Sequence, residues 1–439
     1  MSSSITSDKG FYGWINLATT AIMGVIGGLY LVSFSYFLPF LVADFGWNRG
    51  MASLAATINM IVLGICGPLA GSFIVKYGAK RSIVMGNILG CLGFFMLFFH
   101  SHLWELFLGY GVLVGVGAGF GGLLASTTVI NNWFIKRRSL ALGVFLGSSG
   151  AGGIFMGPAL MALINSQGWR TTYLIMSGLV LLFSIILPAF LIRNTPQDLG
   201  QAPDGLAGSK TEAKDKAIPR KAGYKTTVDF TAKEAMRTRS LWLLIAYFCF
   251  NMLAMGALMT HMVAHLLDIG VSPAWAAGAL SLMAGVMTGA QFLSGFVGMR
   301  FSMHAIAIGG EVLKVIGVVI LISTQSLPVI LMSMIVLGAG FGSVMLATMN
   351  IFPNYFGLSN YPKIMGFARL FWAFVGGAGA PLAGMVRETT GSYLSAYKGA
   401  IVVLAVGLAC LIFAKAPIHP SLKAPRTGEI FSPVAQPEA

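Results

Sequence analysis

The chain has 439 residues, 56% of them hydrophobic and only 10% charged. Soluble domains carry about 25% charged residues, so this deficit, spread over many long apolar runs, excludes an ordinary soluble fold and indicates a polytopic membrane protein. The net charge of +14 is no nucleic-acid footprint, because the cations cluster in short turns between apolar runs rather than on one basic face.

A hydrocarbon layer about 30 Å thick takes roughly 20 apolar residues of helix to cross. Residues 1–9 are polar and are expected to be disordered. The first apolar run is too long for a cleavable signal peptide and leads straight into the body. Six spans are expected near 12–40, 50–75, 82–100, 103–131, 138–165 and 170–192. Lys76 to Arg81 form the turn between the second and third. Lys136-Arg137-Arg138 form a basic knot between the fourth and fifth, and these three are the gating candidates. Residues 194–238 are hydrophilic, with nine Lys/Arg between Lys210 and Arg239, and read as a linker lying on an anionic leaflet. Six further spans are expected near 240–267, 273–299, 303–323, 328–353, 362–386 and 393–414. Residues 416–439 hold several prolines and read as an unstructured tail.

With both ends of the chain on one side, Arg49, Arg170, Arg387 and Lys398 fall on the far side and Lys314 and Arg369 within spans. The other 22 of the 28 Lys/Arg fall on the near side. This bias makes the near side cytoplasmic. The chain therefore divides into a six-helix half (1–193), a cytoplasmic linker (194–238), a second six-helix half (239–415) and a cytoplasmic tail (416–439).

The halves resemble each other. Gly117-Ala-Gly-Phe-Gly121 matches Gly338-Ala-Gly-Phe-Gly342, Asn132-Trp-Phe134 matches Asn354-Tyr-Phe356, Gly143 matches Gly366 and Pro158 matches Pro381. Asp44-Phe-Gly46 matches Asp268-Ile-Gly270, and Gly71 matches Gly295. A near-constant offset of 221 to 224 argues for two similar halves, and internal duplication of helical halves is a transporter signature. Gly117 to Gly122 formally fits the dinucleotide pattern, but lies inside a membrane helix with no strand before it. Helix packing is the expected role of these glycines and of Gly147 to Gly153. Cys66, Cys91, Cys249 and Cys410 all fall within spans and read as buried thiols. No metal or cofactor is expected.

Polar groups within spans are the site candidates, because charge in hydrocarbon costs at least about 2.5–3.5 kcal/mol. Arg369 is the sharpest, since a buried guanidinium grips a carboxylate through two hydrogen bonds. The alternative is that its stem snorkels to the surface. His261 and His265 lie four apart on one helical face and are candidates for proton coupling, His261 also for substrate. The alternative is backbone-bonded interfacial histidines. Asn251, Gln291, Asn59, Tyr30, Tyr36 and Asn350 complete the substrate-binding candidates. Glu311 and Lys314, three apart, are expected to pair structurally.

Lys9-Gly10-Phe-Tyr12-Gly13-Trp14, Trp133 to Gly143, and Pro381 to Gly384 with Thr390 to Tyr393 carry a family resemblance. They resemble signatures of the major facilitator superfamily, in its oxalate/formate antiporter and monocarboxylate transporter branch. The resemblance implies an all-α membrane fold of twelve transmembrane helices in two pseudo-symmetric six-helix halves. It also implies a secondary transporter and no enzyme. Three positions depart from the family. Its Asp four residues after Gly71 is Val75 here. The Arg of carboxylate carriers in span eight is Gln291, and an Asp four residues earlier is Met287. The histidine of span seven resembles family members at His261. The expected activity is alternating-access transport of a mono- or dicarboxylate across the inner membrane, proton-coupled or by exchange, as a monomer among membrane lipids. Efflux of a neutral or amphipathic compound and a transporter-like solute receptor are the alternatives.

Overall fold

In a computed structural model that describes residues 10–205 and 224–423, the chain folds into helices joined by short turns. Lys9 of the first family signature, the Lys210 to Lys221 stretch of the linker and most of the tail lie outside the described residues. The first half comprises α1 (Gly13–Phe45), α2 (Arg49–Tyr77), α3 (Ala79–Phe99) and α4 (Leu103–Trp133). A single 54-residue run, Arg138–Leu191, follows. Gly168, at φ 79° and ψ 159°, breaks it into α5 (138–167) and α6 (169–191), a backbone geometry that glycine adopts without a side-chain clash. The second half comprises α7 (Arg239–Asp268), α8 (Pro273–Val297), α9 (Met303–Ile322), α10 (Leu327–Phe356), α11 (Tyr361–Thr390) and α12 (Tyr393–Phe413). Eleven apolar helical runs thus give twelve spans.

Turn chemistry repeats between the halves. Gly46 and Gly270 end α1 and α7 with φ of 66° and 88°, and Gly391 turns α11 into α12 with φ 75°, 223 residues after Gly168. Glycine contacts repeat more closely still. A Cβ on Gly115 would meet Asn59 O and Val62, and one on Gly338 would meet Met283 O and Val286. Gly119 packs on Cys66 as Gly342 packs on Ala290. The glycine faces of α4 and α10 therefore correspond at an offset of 223, two more than the Gly-Ala-Gly-Phe-Gly string match. Glycine at every second position reads alike after a two-residue slip, so the string does not fix the register.

The buried core shows how the halves meet. One apolar cluster, running from Leu17 through Phe134 and Phe248 to Tyr361, spans both halves at the end that carries the basic turns. Two others are each confined to one half: one around Phe37, Phe94 and Tyr173, the other around Leu258, Met283 and Leu337. Both seams between the halves are built from small residues. On one, Gly67 and Gly71 of α2 lie against Gly366 and Pro362 of α11. On the other, Gly143 and Ser139 of α5 lie against Gln291 and Gly295 of α8. The two seams are related at offsets of 223 and 224. Each closes only from the basic end to mid-helix, at Gly64–Ala373 and Gly150–Thr288. Next along the facing surfaces, Gly153, Gly285 and Gly377 have nothing within 4 Å of a built Cβ. The halves are joined at the basic end and part toward the opposite end.

The described parts of the linker and tail, residues 194–205, 224–238 and 416–423, are more ordered than a hydrophilic, proline-bearing sequence implies. Ala232–Met236 forms a short helix with Thr231 capping Glu234 N–H. In the tail, Pro417 O accepts from Tyr224 Oη at 3.2 Å, and His419 packs edge-on against Phe230 at 4.7 Å. Residues 416–423 are thus docked rather than free.

Candidate functional site

The site is built where α11 crosses the joined end of the seam. Arg369 emerges from α11 beside Gly67 of α2, whose missing side chain makes room: a Cβ there would stand 3.4 Å from Arg369 Cβ. Helical side chains lean toward the helix N-terminus, and Arg369 reaches back toward Tyr361, with Cys66 of α2 on its other side. Its Nη1 is buried and has no hydrogen-bond partner. The surface-snorkelling alternative is not what the chain adopts.

Tyr361 is the hub beneath it. Its hydroxyl donates to Thr127 Oγ1 of α4 at 3.1 Å, with the Asn131 amide and the Arg138 and Arg369 guanidinia around it. Asn131 is 1% exposed, and neither its Oδ1 nor its Nδ2 has a partner. On the other seam Gln291, 6% exposed, holds an unpartnered Oε1 beside Gly150. Trp372, one turn beyond Arg369, packs at a tilt against Phe248 at 4.0 Å and leaves its Nε1 unpartnered. Buried polar groups are normally paired, so the unpartnered Arg369 Nη1 on one seam and Gln291 Oε1 on the other stand out. Thr127, Asn131 and Tyr361 were not singled out from the sequence. They stand at span ends, where polar residues carry no signal.

The remaining candidates are placed elsewhere. Tyr30 donates to Asn87 Oδ1 at 3.1 Å, Asn59 donates to Tyr110 O at 2.8 Å, and Tyr36 lies against Gly157. All three bind within the first half. Asn251 donates to Glu311 Oε1 at 2.9 Å, and Lys314 Nζ lies 2.8 Å from the same oxygen, with both charged side chains fully buried inside the second half. His261 Nε2 stands 2.9 Å from Ala380 O of α11, and its ring stacks on Tyr393. His265 is 4% exposed and packs edge-on against Tyr397. Asn350 donates to Leu346 O on its own helix, at the basic end.

The basic turn meets both halves. Arg138 Nη1 donates to Asn354 Oδ1 of α10 at 3.1 Å, the counterpart of Tyr361 reaching Thr127 of α4. These are the two direct side-chain hydrogen bonds between the halves among the described residues; their donors correspond at an offset of 223, whereas their acceptors, Thr127 and Asn354, do not. Arg137 instead lies over the Trp14 ring of its own half at 5.7 Å. The linker braces each turn with a carboxylate. Asp204 accepts from the N–H groups of Ile135, Lys136 and Arg137 at 3.0, 2.7 and 3.2 Å. Asp229 accepts from Leu358 N and Ser359 N at 3.0 and 3.2 Å and from the Ser359 hydroxyl.

Known proteins share this architecture. The chain is 24% identical over 414 residues to human monocarboxylate transporter 11, covering 88% of this chain and 80% of that one. It is 25% identical over 413 residues to monocarboxylate transporter 13 of Bos taurus, covering 92% and 89%. The crystal structure of FucP in its outward conformation superposes with a TM-score of 0.71 at 16% identity, covering 92% of this chain and all of that one. The proton:xylose symporter XylE bound to 6-bromo-6-deoxy-D-glucose superposes with a TM-score of 0.73 at 13% identity, covering 92% and 95%. The Major Facilitator Superfamily model matches residues 19–378. With that match running through both halves of a doubled six-helix bundle, the chain belongs to the Major Facilitator Superfamily of solute transporters.

Proposed function

We propose that the chain carries a small organic carboxylate across the cell's inner membrane by alternating access, with a proton or in exchange for a second solute. The observation that carries this reading is Arg369, whose buried Nη1 has no hydrogen-bond partner where α11 packs against α2. An uncompensated guanidinium inside the membrane is costly, and a carboxylate satisfies it with two parallel hydrogen bonds. The relatives' names point to the same substrate class. In this reading Arg369 holds the anion, while Asn131 and Gln291 complete the pocket from the first and second halves. His261 takes the proton: Ala380 O only accepts, so Nε2 carries the hydrogen and Nδ1 is left for a second one. The distribution of cations turns the basic end toward the cytoplasm, with both termini there. The arrangement described is then open to the outside, and Arg138 and Tyr361 close the inner gate.

Counterflow of labelled short carboxylates in proteoliposomes tests this. Arg369→Gln is expected to weaken uptake at least about tenfold, the value of a charge-assisted hydrogen bond. Arg369→Lys should retain part of it, since a point charge replaces a planar fork. Normal counterflow by Arg369→Gln would refute the anion reading. One observation favours efflux of a neutral or amphipathic compound instead: Gln291 stands uncharged where the family resemblance implies an arginine. Binding of apolar ligands that is indifferent to Arg369→Gln would select it.

A further inference from the structure

A second polar cavity, of about 50 Å³, lies at the basic end. All three parts of the chain line it: Lys136 and Arg138 from the first half, Asn350 and Asn354 from α10, and Lys225 from the linker. Lys225 Nζ donates to Ile135 O at 3.2 Å, and Arg138 is only 6% exposed. The carboxylate that acts on both Arg138 and Lys225 is Asp204, and its oxygens already accept three backbone N–H groups of the α4–α5 turn. Three cations therefore crowd one engaged carboxylate. The crowding is felt at Lys225, whose amine is pushed below the usual lysine range by burial and by the Arg138 guanidinium, against the pull of Asp204. Asn354 gives its carbonyl oxygen to Arg138, leaving its amide NH2 as a further donor.

We propose that this cavity binds a small oxyanion, phosphate or carboxylate, either free or as the headgroup of an acidic lipid, and that the bound anion fastens the two halves together at the basic end. The donors are the Lys136 and Lys225 ammonium groups and the Asn354 amide, with Arg138 supplying charge behind them. Because the walls come from both halves, parting them at this end pulls the donors away from the anion. The anion then binds the closed arrangement more tightly than the open one, and such differential affinity is what shifts an equilibrium between states. The site is separate from Arg369 and stands or falls independently of the transported solute.

The test is thermal unfolding of the purified full-length protein in an uncharged detergent at constant ionic strength. One arm titrates inorganic phosphate against chloride. The other compares mixed micelles containing phosphatidylglycerol with micelles containing phosphatidylcholine. Stabilisation by phosphate identifies a free anion, and stabilisation by phosphatidylglycerol alone identifies a lipid headgroup. In either case Lys225→Gln and Lys136→Gln should each weaken the effect about tenfold, while Arg369→Gln leaves it in place. The proposal is overturned if neither probe stabilises the protein, if both lysine variants respond as the native protein does, or if Arg369→Gln removes the response.

Discussion

At the scale of single residues, the second half hides a charged pair that the cleft does not use. Glu311 and Lys314 are fully buried, and the remaining oxygen, Glu311 Oε2, has no partner. Desolvating two charges offsets most of their attraction, whereas removing one leaves the other stranded. Glu311→Gln or Lys314→Met alone is therefore expected to cost about 3–5 kcal/mol, and the double substitution far less. Thermal melts of the three variants check this, and additive losses would contradict it. Asn251→Leu should cost about 1–3 kcal/mol by taking a donor from Glu311. The sequence paired Glu311 with Lys314 by their spacing on one helix and named Asn251 separately. Asn251 joins that pair through the packing of α7 against α9, which no spacing along either helix encodes.

At the scale of elements, glycine seams and linker carboxylates set how the halves meet. The seams are related by symmetry but differ in tightness. A Cβ on Gly71 would stand 2.2 Å from Pro362 O, whereas one on Gly295 would stand 3.0 Å from Ser139 O. Gly71→Ala is thus expected to force α2 from α11 and impair transport more than Gly295→Ala, which proteoliposome uptake can rank. Asp204 and Asp229 act like N-terminal caps on the turns before α5 and α11. Each replaced by Ala is expected to cost about 1 kcal/mol of thermal stability, with the positive end of the helix dipole adding to the loss. A silent Asp204→Ala variant would mean that the linker merely rests on the turn. The repeat in the glycines was legible in the sequence. The carboxylate braces were not, because Asp204 and Asp229 belong to a linker outside the repeat and find their turns only in the folded chain.

At the scale of the whole molecule, a shared core at one end and separate cores at the other join the halves at the basic end and let them part away from it. Cysteines placed at Gly153 and Gly285, in a background lacking the four native cysteines, are expected to react with a membrane-impermeant thiol reagent added from outside. Under the proposed function, a carboxylate substrate should slow that reaction as the halves rock closed. Failure of both positions to label would contradict an outward-open cleft.

The sequence by itself determined the twelve spans, the doubling and the segregation of charge to one end. Each is a one-dimensional property: run length against bilayer thickness, recurrence of residues at a fixed offset, and cation placement along the chain. It also singled out Arg369, because a guanidinium is conspicuous in an apolar run. Only the tertiary structure decided which polar residues meet at the seam. Tyr30, Asn59 and Asn251 bond inside their own halves, while Thr127 and Asn131, unremarkable in sequence, converge on Tyr361, which lies beside Arg369. Which face of a helix is turned to its own bundle, and which to the other half, depends on contacts between segments more than 130 residues apart.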